Sequence, residues 1–178
     1  MEYWDVLDKT GKPLGYTHLR GKPMRRGERH LVTDIIVTSG RGRLLLMYRH
    51  PDKPYGDCWE ITGGSVLAGE TSLEAAQREL SEETGITVPM EALEFVQRTV
   101  GTGHAIYDAY HTVSDTPVEK IIFQDGETTD ACWVNAEEYL ALCGAGRVCD
   151  PCRARYQEYI LALLGKEEKE EKNEDICC

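Results

Sequence analysis

The sequence lacks any segment long and apolar enough to cross a membrane. Its 178 residues include no run of about eighteen apolar side chains, the length that a membrane-spanning helix needs. The first residues also lack a basic segment followed by an apolar one, which is the pattern of a secretory signal. We therefore expect a cytoplasmic protein without a membrane partner.

Positive charge is scarce, and much of it lies in the N-terminal third. The sequence has 20 Lys and Arg against 31 Asp and Glu, a net charge of −11. Residues 1–53 carry 11 basic and 6 acidic side chains, whereas residues 54–178 carry 9 and 25. Because duplex nucleic acid is bound largely through its phosphates, so acidic a chain is a poor match for it.

The basic N-terminal third can still contact the phosphates of a small ligand. Arg29, Arg49 and Lys53 are the candidate substrate-binding residues, and Arg25 and Arg26 precede the first of them. Ordinary surface cations that contact only water are an equally good interpretation of this group.

The seven cysteines lack a second C-x-x-C pair. Cys149 and Cys152 have that spacing, but a structural zinc site normally takes four ligands, often from two such pairs. Without a secretory signal, a disulfide scaffold is not expected either. Asp150-Pro151 fits the start of a helix, which would place Cys152 in a first turn, where a thiol can be more acidic. A redox or metal role for Cys149 and Cys152 stays open.

The sequence has no internal repeat, and its apolar residues follow the periods of both strands and helices. Runs of β-branched and aromatic residues between turn residues indicate strands, the first two of which form an N-terminal hairpin. Apolar residues at intervals of three and four indicate helices, the last of which we expect Gly165 to end. The predicted strands cover residues 3–7, 14–18, 31–37, 44–48, 59–62, 93–100, 105–113 and 131–134, and two predicted helices cover 136–143 and 151–164.

A further helix is predicted between Thr71 and Gly85. Thr71 followed by Glu74 is a capping-box signature, and Gly85 is suited to the left-handed conformation at a helix C-terminus. Leu73, Ala76 and Leu80 then form one apolar stripe that faces a core.

Three carboxylates lie together on an adjacent arc of this helix. Glu79 is three residues from Glu82 and four from Glu83, so the three side chains are neighbours on the helix surface. Like charges at these intervals weaken an isolated helix, whereas a divalent cation reverses the sign of the interaction. Charge runs of this kind usually form a solvated acidic face. Only the surrounding sequence pattern favours a metal site here.

That surrounding pattern covers residues 64–86 and resembles the Nudix box, G-x5-E-x7-R-E-U-x-E-E-x-G-U with U aliphatic. So many fixed positions at fixed spacing are a specific signal. The resemblance implies a metal-dependent enzyme that acts on a pyrophosphate linkage. All nine specified positions are matched, by Gly64, Glu70, Arg78, Glu79, Leu80, Glu82, Glu83, Gly85 and Ile86.

The resemblance also implies a role for each polar residue of the box. The cofactor would be Mg²⁺, or Mn²⁺ in its place, held by carboxylates and a backbone carbonyl. Arg78 would orient the carboxylates as part of the catalytic set. The implied metal ligands are Glu79, Glu82 and Glu83, with the carbonyl of Gly64 as a further one and Glu70 as a supporting or second-metal acid.

The fold that the resemblance implies is an α/β/α sandwich with a mixed sheet. The resemblance covers roughly residues 28–143, to which this chain adds the N-terminal hairpin and a C-terminal helix. We expect one domain over residues 1–165, in which 1–27 form the hairpin and connector. Residues 166–178 are expected to be a charged, flexible tail.

The N-terminal region also resembles the isopentenyl-diphosphate-isomerase-like branch of the superfamily, which makes isomerisation of an isoprenoid diphosphate an alternative. That isomerase needs a cysteine just before the box, where this chain has Ile61-Thr62-Gly63-Gly64, and Cys58 lies too early. It also needs two later glutamates that residues 103–106 do not supply. The resemblance rests on Trp4-Asp5-Val6-Leu7-Asp8, Gly11, Leu14-Gly15, Arg20 and Gly27-Glu28-Arg29-His30.

We therefore predict hydrolysis of a nucleoside diphosphate linked to another moiety, by attack of water on one phosphorus. A general base often comes from a later loop, for which Glu127 is our first candidate and Asp130 the second. A polar hairpin loop is an equally good interpretation of that segment. The alternative from another class is a binding or sensor module without chemistry. The oligomeric state is open, and a homodimer is one option because relatives often dimerise.

Overall fold

The computed structural model describes residues 1–174, and it describes side chains as far as residue 165. The chain folds as an α/β protein with a mixed sheet, an N-terminal hairpin and a C-terminal helix, which confirms the predicted fold class. Single-turn 3₁₀ helices lie at Met90–Ala92 and Val118–Lys120. The other elements are β1 (Tyr3–Leu7), β2 (Pro13–Leu19), β3 (His30–Thr38), β4 (Leu44–Arg49), β5 (Trp59–Glu60), β6 (Thr62–Ser65), α1 (Ser72–Thr84), β7 (Glu94–Val100), β8 (Ala105–Val113), β9 (Thr128–Val134), α2 (Ala136–Gly144) and α3 (Asp150–Glu174).

Helix α1 lies where the sequence predicts it. The backbone N–H of Thr71 donates to Glu74 at 2.8 Å, and that of Glu74 donates to Thr71 Oγ1 at 3.2 Å, which completes the capping box. Gly85 follows with a φ of 73°, a left-handed conformation that glycine adopts without strain. Ala76 and Leu80 are fully buried, so the predicted apolar stripe does face a core.

Two predicted boundaries are wrong. The strand predicted at 59–62 is two strands, because β5 pairs with β4 whereas β6 pairs with β3. Helix α3 does not end at Gly165 but continues to Glu174. A glycine inside a helix costs only about 1 kcal/mol relative to alanine, and the Glu and Lys residues that follow are strong helix formers. The flexible tail expected at 166–178 falls partly on residues 175–178, which lie outside the described residues.

One compact unit comprises Met1–Ile35, Gly63–Ser81 and Thr87–His111. In it, β1 and β2 form their own antiparallel sheet, in which Trp4 lies opposite His18. Strand β7 pairs antiparallel with β8, and β6 pairs with β3. The buried apolar side chains of this unit include Val6, Ile35, Val66, Ala76, Leu80, Ile106 and Ala109.

A second compact unit comprises Ile36–Thr62, Glu82–Ile86 and the described residues from Thr112 on. Strand β4 pairs antiparallel with both β5 and β9. Its residues 44–47 are all buried and form one continuous apolar run, which is typical of a strand covered on both faces. Helix α2 begins at residue 136 as predicted, and its N-cap Asn135 forms a complete capping box with Glu138. Other buried side chains of this unit are Ile36, Tyr139, Tyr156, Ile160 and Leu164.

Within the described residues, none of the helices is both long and apolar enough to span a membrane. The interpretation of residues 1–165 as a single domain stays a prediction.

Candidate catalytic site

The three box carboxylates lie in the C-terminal half of α1, in environments that differ from one another. Glu79 is half-buried, Glu82 is exposed, and Glu83 is buried with 8% of its surface accessible. The end of the helix is fixed because the backbone N–H of Ile122 donates to the carbonyl of Thr84 at 3.0 Å. One helix therefore presents a carboxylate that is open to solvent and another that is largely withdrawn from it.

Arg78 holds two of the box acids at once. Its Nε and Nη2 donate to the two carboxylate oxygens of Glu70 at 2.9 and 3.0 Å, and its Nη1 donates to Glu79 Oε1 at 2.8 Å. Nη2 also donates to the carbonyl of Ser65 at 3.1 Å. These bonds, the one to Glu70 foremost, raise the pKa of Arg78 above its usual value, so its charge is permanent.

Gly64 lies directly against the carboxyl group of Glu79. A Cβ added at Gly64 would overlap both carboxylate oxygens of that side chain, and one added at Gly63 would overlap the carbonyl of Thr33. Gly63 therefore needs glycine for its close approach to backbone, whereas a Cβ at Gly64 would displace the end of the Glu79 side chain. The result is a backbone turn that places the Gly64 peptide beside a carboxylate that Arg78 holds.

The donor set around this turn consists of oxygens, which suits a hard divalent cation such as Mg²⁺. The Gly64 peptide and the Glu79 carboxylate are already in contact, so these residues fit such a group. Within the described part of the chain, no three His, Cys, Asp or Glu side chains converge closely enough to hold a metal ion as they stand. Carboxylates that repel one another need side-chain rotation before they share a cation.

The candidate base Glu127 forms an ion pair with the candidate substrate ligand Lys53. Glu127 lies just before β9, and its carbonyl accepts the backbone N–H of His50 at 2.9 Å. About 30% of the Glu127 side chain and 20% of the Lys53 side chain are accessible. The structure thus brings together two residues that the sequence proposed for separate roles.

The other two candidate substrate ligands are engaged within the protein. Arg49 Nη1 donates to Glu60 Oε1 at 2.5 Å, and Arg49 Nε donates to the carbonyl of Pro54 at 2.7 Å. Arg29 donates through Nη1 to the carbonyl of Gly103, while its Nε is buried without a hydrogen-bond partner. Arg49 therefore lies in the second compact unit with Lys53 and Glu127, and Arg29 lies in the first unit with Gly64, Glu70, Arg78 and Glu79.

The sequence did not reveal an ion pair between β7 and β8. Arg98 Nε and Nη2 donate to the two carboxylate oxygens of Asp108 at 2.6 and 2.7 Å, and Asp108 is 1% accessible. Opposite charges on neighbouring strands were the available signal, because Arg98 and Asp108 lie in register. Arg98 also lines a cavity of about 180 Å³ whose other walls are Asp5, Leu7, Gly11, Pro13, Leu31, Val66, Leu67 and Glu70.

The structure contains a disulfide between Cys58 and Cys149, although no disulfide scaffold was expected. The two residues are 91 positions apart, and sequence spacing alone cannot indicate such a pairing. The parallel bridge between Trp59 and Val148, each next to one of these cysteines, brings them together. Cys152 is buried and not disulfide-bonded, in the first turn of α3 as predicted.

Comparison with known proteins agrees with the pattern of the box. The family model of the NUDIX domain matches residues 28–148. An uncharacterized Nudix hydrolase from Listeria monocytogenes is 33% identical over 148 residues, which cover 82% of this chain and 87% of that protein.

Solved structures show the same fold. DR0079 from Deinococcus radiodurans has a TM-score of 0.70 and 26% identity, over 87% of this chain and 99% of that chain. A bifunctional NMN adenylyltransferase/ADP ribose pyrophosphatase from Francisella tularensis, complexed with AMP and a Mn ion, has a TM-score of 0.60 and 23% identity, over 84% and 43%. Since the family model covers more than half of the chain and the Listeria relative spans most of it, the chain belongs to the Nudix family and is a pyrophosphohydrolase.

Proposed function

We propose that the chain hydrolyses the pyrophosphate bond of a nucleoside diphosphate linked to another moiety, with Mg²⁺ as its cofactor and Mn²⁺ as a substitute. Family membership supports pyrophosphate hydrolysis and dependence on a divalent metal. The AMP and the Mn ion in the Francisella protein support a nucleotide and a divalent cation as ligands of this fold. The observation that carries the proposal is the Arg78 clamp on Glu70 and Glu79 beside the Gly64 peptide.

In this proposal Glu79, Glu82 and Glu83 hold the cation, together with the carbonyl oxygen of Gly64. When bound, the cation neutralises phosphate charge and activates a water for attack on phosphorus. Arg78 keeps the Glu79 carboxylate turned toward the Gly64 peptide, because its Nη1 bond fixes one oxygen of that group. The side chain of Glu82 is exposed, so its carboxylate is accessible to a cation that enters from solvent.

Glu70 acts as the fixed end of the clamp. Both of its oxygens accept from Arg78, and Glu70 Oε2 also accepts the backbone N–H of Leu67 at 3.0 Å. A carboxylate with three such bonds is a rigid anchor, so we assign it to supporting the arrangement or to a second metal ion. The Arg78 guanidinium then transmits that rigidity to Glu79.

Lys53 and Glu127 act as a pair that the substrate separates. The phosphate of the substrate takes the place of the Glu127 carboxylate at Lys53 Nζ, because phosphate offers more acceptor oxygens and charge. Glu127 is then released to accept the proton of the attacking water. Arg49 and Arg29 are kept as further proposed substrate-binding residues.

The two alternatives are weaker on physical grounds. The isomerase needs a catalytic thiol just before the box, where this chain has Ile61-Thr62-Gly63-Gly64, and Cys58 lies too early in either redox state. A sensor module without chemistry loses its box acids, whereas this chain keeps every acid of the pattern.

A panel of nucleoside diphosphate derivatives, ADP-ribose among them, tests the proposal by the masses of the products. The expected result is cleavage between the two phosphorus atoms of at least one substrate, with ¹⁸O from labelled water in one product. The cleavage stops on chelation of divalent cations and returns when Mg²⁺ is added. Binding without turnover of any member would instead favour the sensor. An isoprenoid diphosphate is assayed beside the panel, and its conversion to an isomer, separated by chromatography because the mass is unchanged, would favour the isomerase.

A homodimer and a cytoplasmic location remain predictions of the sequence. Sedimentation of the full chain tests the first, and cell fractionation tests the second.

A further inference from the structure

Residues 50–58 form a loop between β4 and β5, which we call the disulfide loop because Cys58 ends it. Cys58 is half-buried, and its partner Cys149 is 6% accessible. Their Cα atoms are 5.4 Å apart, within the usual range for a disulfide. The bond ties the loop to the residue that immediately precedes α3.

The disulfide loop has a constrained backbone. Tyr55 and Asp57 have φ values of 58° and 60°, which side-chain-bearing residues rarely adopt. Gly56 between them lies so close to the carbonyls of His50 and Pro51 that no Cβ fits there. Such conformations persist only where the surrounding contacts impose them. Breaking a covalent tie at the end of the loop therefore favours its relaxation.

The same loop positions Lys53. Its backbone N–H donates to the carbonyl of His50 at 3.1 Å, and its carbonyl accepts from Gly56 at 2.8 Å. Its ammonium group forms the ion pair with Glu127. The loop conformation thus decides where the Lys53 charge lies.

The position of Cys149 at the start of α3 suits a leaving thiolate. Helix N-termini stabilise a sulfur anion through their unpaired N–H groups. The acid that follows, Asp150, has its charge offset by Arg153, whose Nη2 donates to it at 2.9 Å. The more accessible sulfur, on Cys58, is the one that an external thiolate can reach.

We propose that the bond between Cys58 and Cys149 is a reversible redox switch that sets the position of Lys53, and so controls substrate affinity at the proposed phosphate site. The inference concerns the Lys53 and Glu127 site and rests on the proposed function for its effect on catalysis. The state of the bond and of the loop is independent of that function.

The chemistry requires a dithiol as reductant. One thiolate of the dithiol attacks Cys58 Sγ, the bond to Cys149 breaks, and Cys149 Sγ leaves with the electron pair and gains a proton. The second thiolate of the dithiol then attacks its own mixed disulfide with Cys58. Cys58 leaves as a thiolate and gains a proton. The dithiol becomes a cyclic or protein disulfide, and the two cysteines together gain two electrons and two protons.

The first experiment measures the bond and the loop without any substrate. Full-length chain is oxidised with glutathione disulfide or reduced with dithiothreitol, and each form is mapped as peptides by mass. We expect a peptide pair joined through Cys58 and Cys149 in the oxidised form only. Amide exchange in residues 50–58 should be about tenfold faster in the reduced form, because a tie that opposes local opening is lost. The absence of the joined pair, or equal exchange in both forms, would overturn the switch.

The second experiment measures KM and kcat of both forms on a substrate found in the panel. Reduction should raise KM about two- to tenfold, because Lys53 must then be ordered on binding, and kcat should change less. Cys58→Ser should show the high KM in both redox conditions. Cys143→Ser, which removes a thiol of α2 outside the disulfide, should respond as the wild-type chain does.

The two sets of results separate the ideas. If neither the oxidised nor the reduced form turns over any substrate, the result counts against the proposed function. Amide exchange in the disulfide loop still decides whether the redox change occurs. An identical KM in both forms, with a joined peptide pair and a changed loop, would overturn control of substrate affinity.

Discussion

Arg78 and Glu70 make a two-point contact across eight positions of the sequence. Two nitrogens of the guanidinium donate to the two oxygens of the carboxylate at 2.9 and 3.0 Å, which leaves the third nitrogen directed at Glu79. Only a planar fork of donors can serve both acids in this way. The contact explains why the box carries arginine beside its first helical acid.

Replacing Arg78 by lysine keeps the charge and removes the fork. We expect Arg78→Lys to lower kcat/KM about tenfold or more, equivalent to ~1.4 kcal/mol of transition-state stabilisation. Steady-state kinetics with Mg²⁺ measure the loss, and circular dichroism verifies the fold. The control is Arg153→Lys, whose partner Asp150 is exposed, and which should leave kcat/KM unchanged. A kcat/KM equal to that of the wild-type chain in Arg78→Lys would show that the hydrogen bonds of Arg78 to Glu70 and Glu79 do not contribute to catalysis.

Gly64 offers a second test of the same geometry. The methyl group of Gly64→Ala would meet the Glu79 carboxylate and displace it from the turn. We expect kcat with Mg²⁺ to fall about tenfold or more, since misplacing a catalytic group by an ångström costs rate steeply. Gly144→Ala is the control, because nothing lies within 4 Å of a Cβ at that position. If the two alanine variants had equal kcat, the Gly64 contact would have no catalytic importance.

The stability of the chain should depend on His30. This ring stacks on Trp4 with centroids 3.9 Å apart, and burial lowers the pKa of His30 from 6.5 to about 4, with smaller contributions from His104, Arg20 and His18. Below about pH 6.5, His30 therefore binds a proton in the unfolded chain but not in the folded chain. This difference makes stability fall as the pH decreases toward 4.

We expect the free energy of unfolding to lose about 1 kcal/mol through His30 alone between pH 7.5 and 5.5. Urea unfolding at both pH values measures the loss. His30→Phe keeps an aromatic ring against Trp4 without a titrating group. Its free energy of unfolding should therefore fall by about 1 kcal/mol less than that of the wild-type chain between the two pH values. Parallel pH profiles for wild type and His30→Phe would show that His30 is not the cause.

Breaking the ion pair of Arg98 and Asp108 should cost more stability than breaking an exposed ion pair. Arg98→Met leaves the Asp108 carboxylate buried without its cation, which should lower the free energy of unfolding by about 3 kcal/mol. The matched variant Arg153→Met breaks a pair whose acid is exposed, so the expected change is within about 0.5 kcal/mol. Chemical unfolding of the two variants gives the comparison, and equal losses would contradict it.

Local signals predicted much of the fold. The capping box of Thr71 and Glu74 and the left-handed Gly85 set the limits of α1, because these interactions involve only neighbouring residues. The predicted start of α2 at residue 136 is likewise confirmed, where Asn135 and Glu138 form a second capping box. Gly165 failed as a helix end, since a single glycine disfavours a helix too weakly to stop it when strong helix formers follow.

Contacts between residues far apart in the sequence could not be predicted from it. Cys58 and Cys149 meet only because strand pairing brings Trp59 beside Val148, and Lys53 meets Glu127 because β4 pairs with β9. The spacing of the box predicted which acids share a helix. The resemblance implied that Arg78 orients carboxylates, but not that Glu70 and Glu79 are its two partners, which depends on the fold of the turn before α1.

The turnover of Glu82→Gln with saturating Mg²⁺ shows whether the α1 carboxylates hold a catalytic metal ion. The substitution removes one negative charge from an exposed side chain, so the fold should persist and the change should report on the metal site. We expect kcat to fall by about 10²-fold or more, which corresponds to ~2.7 kcal/mol or more of barrier. A kcat equal to that of the wild-type chain would contradict the claim that the α1 carboxylates hold a catalytic metal ion.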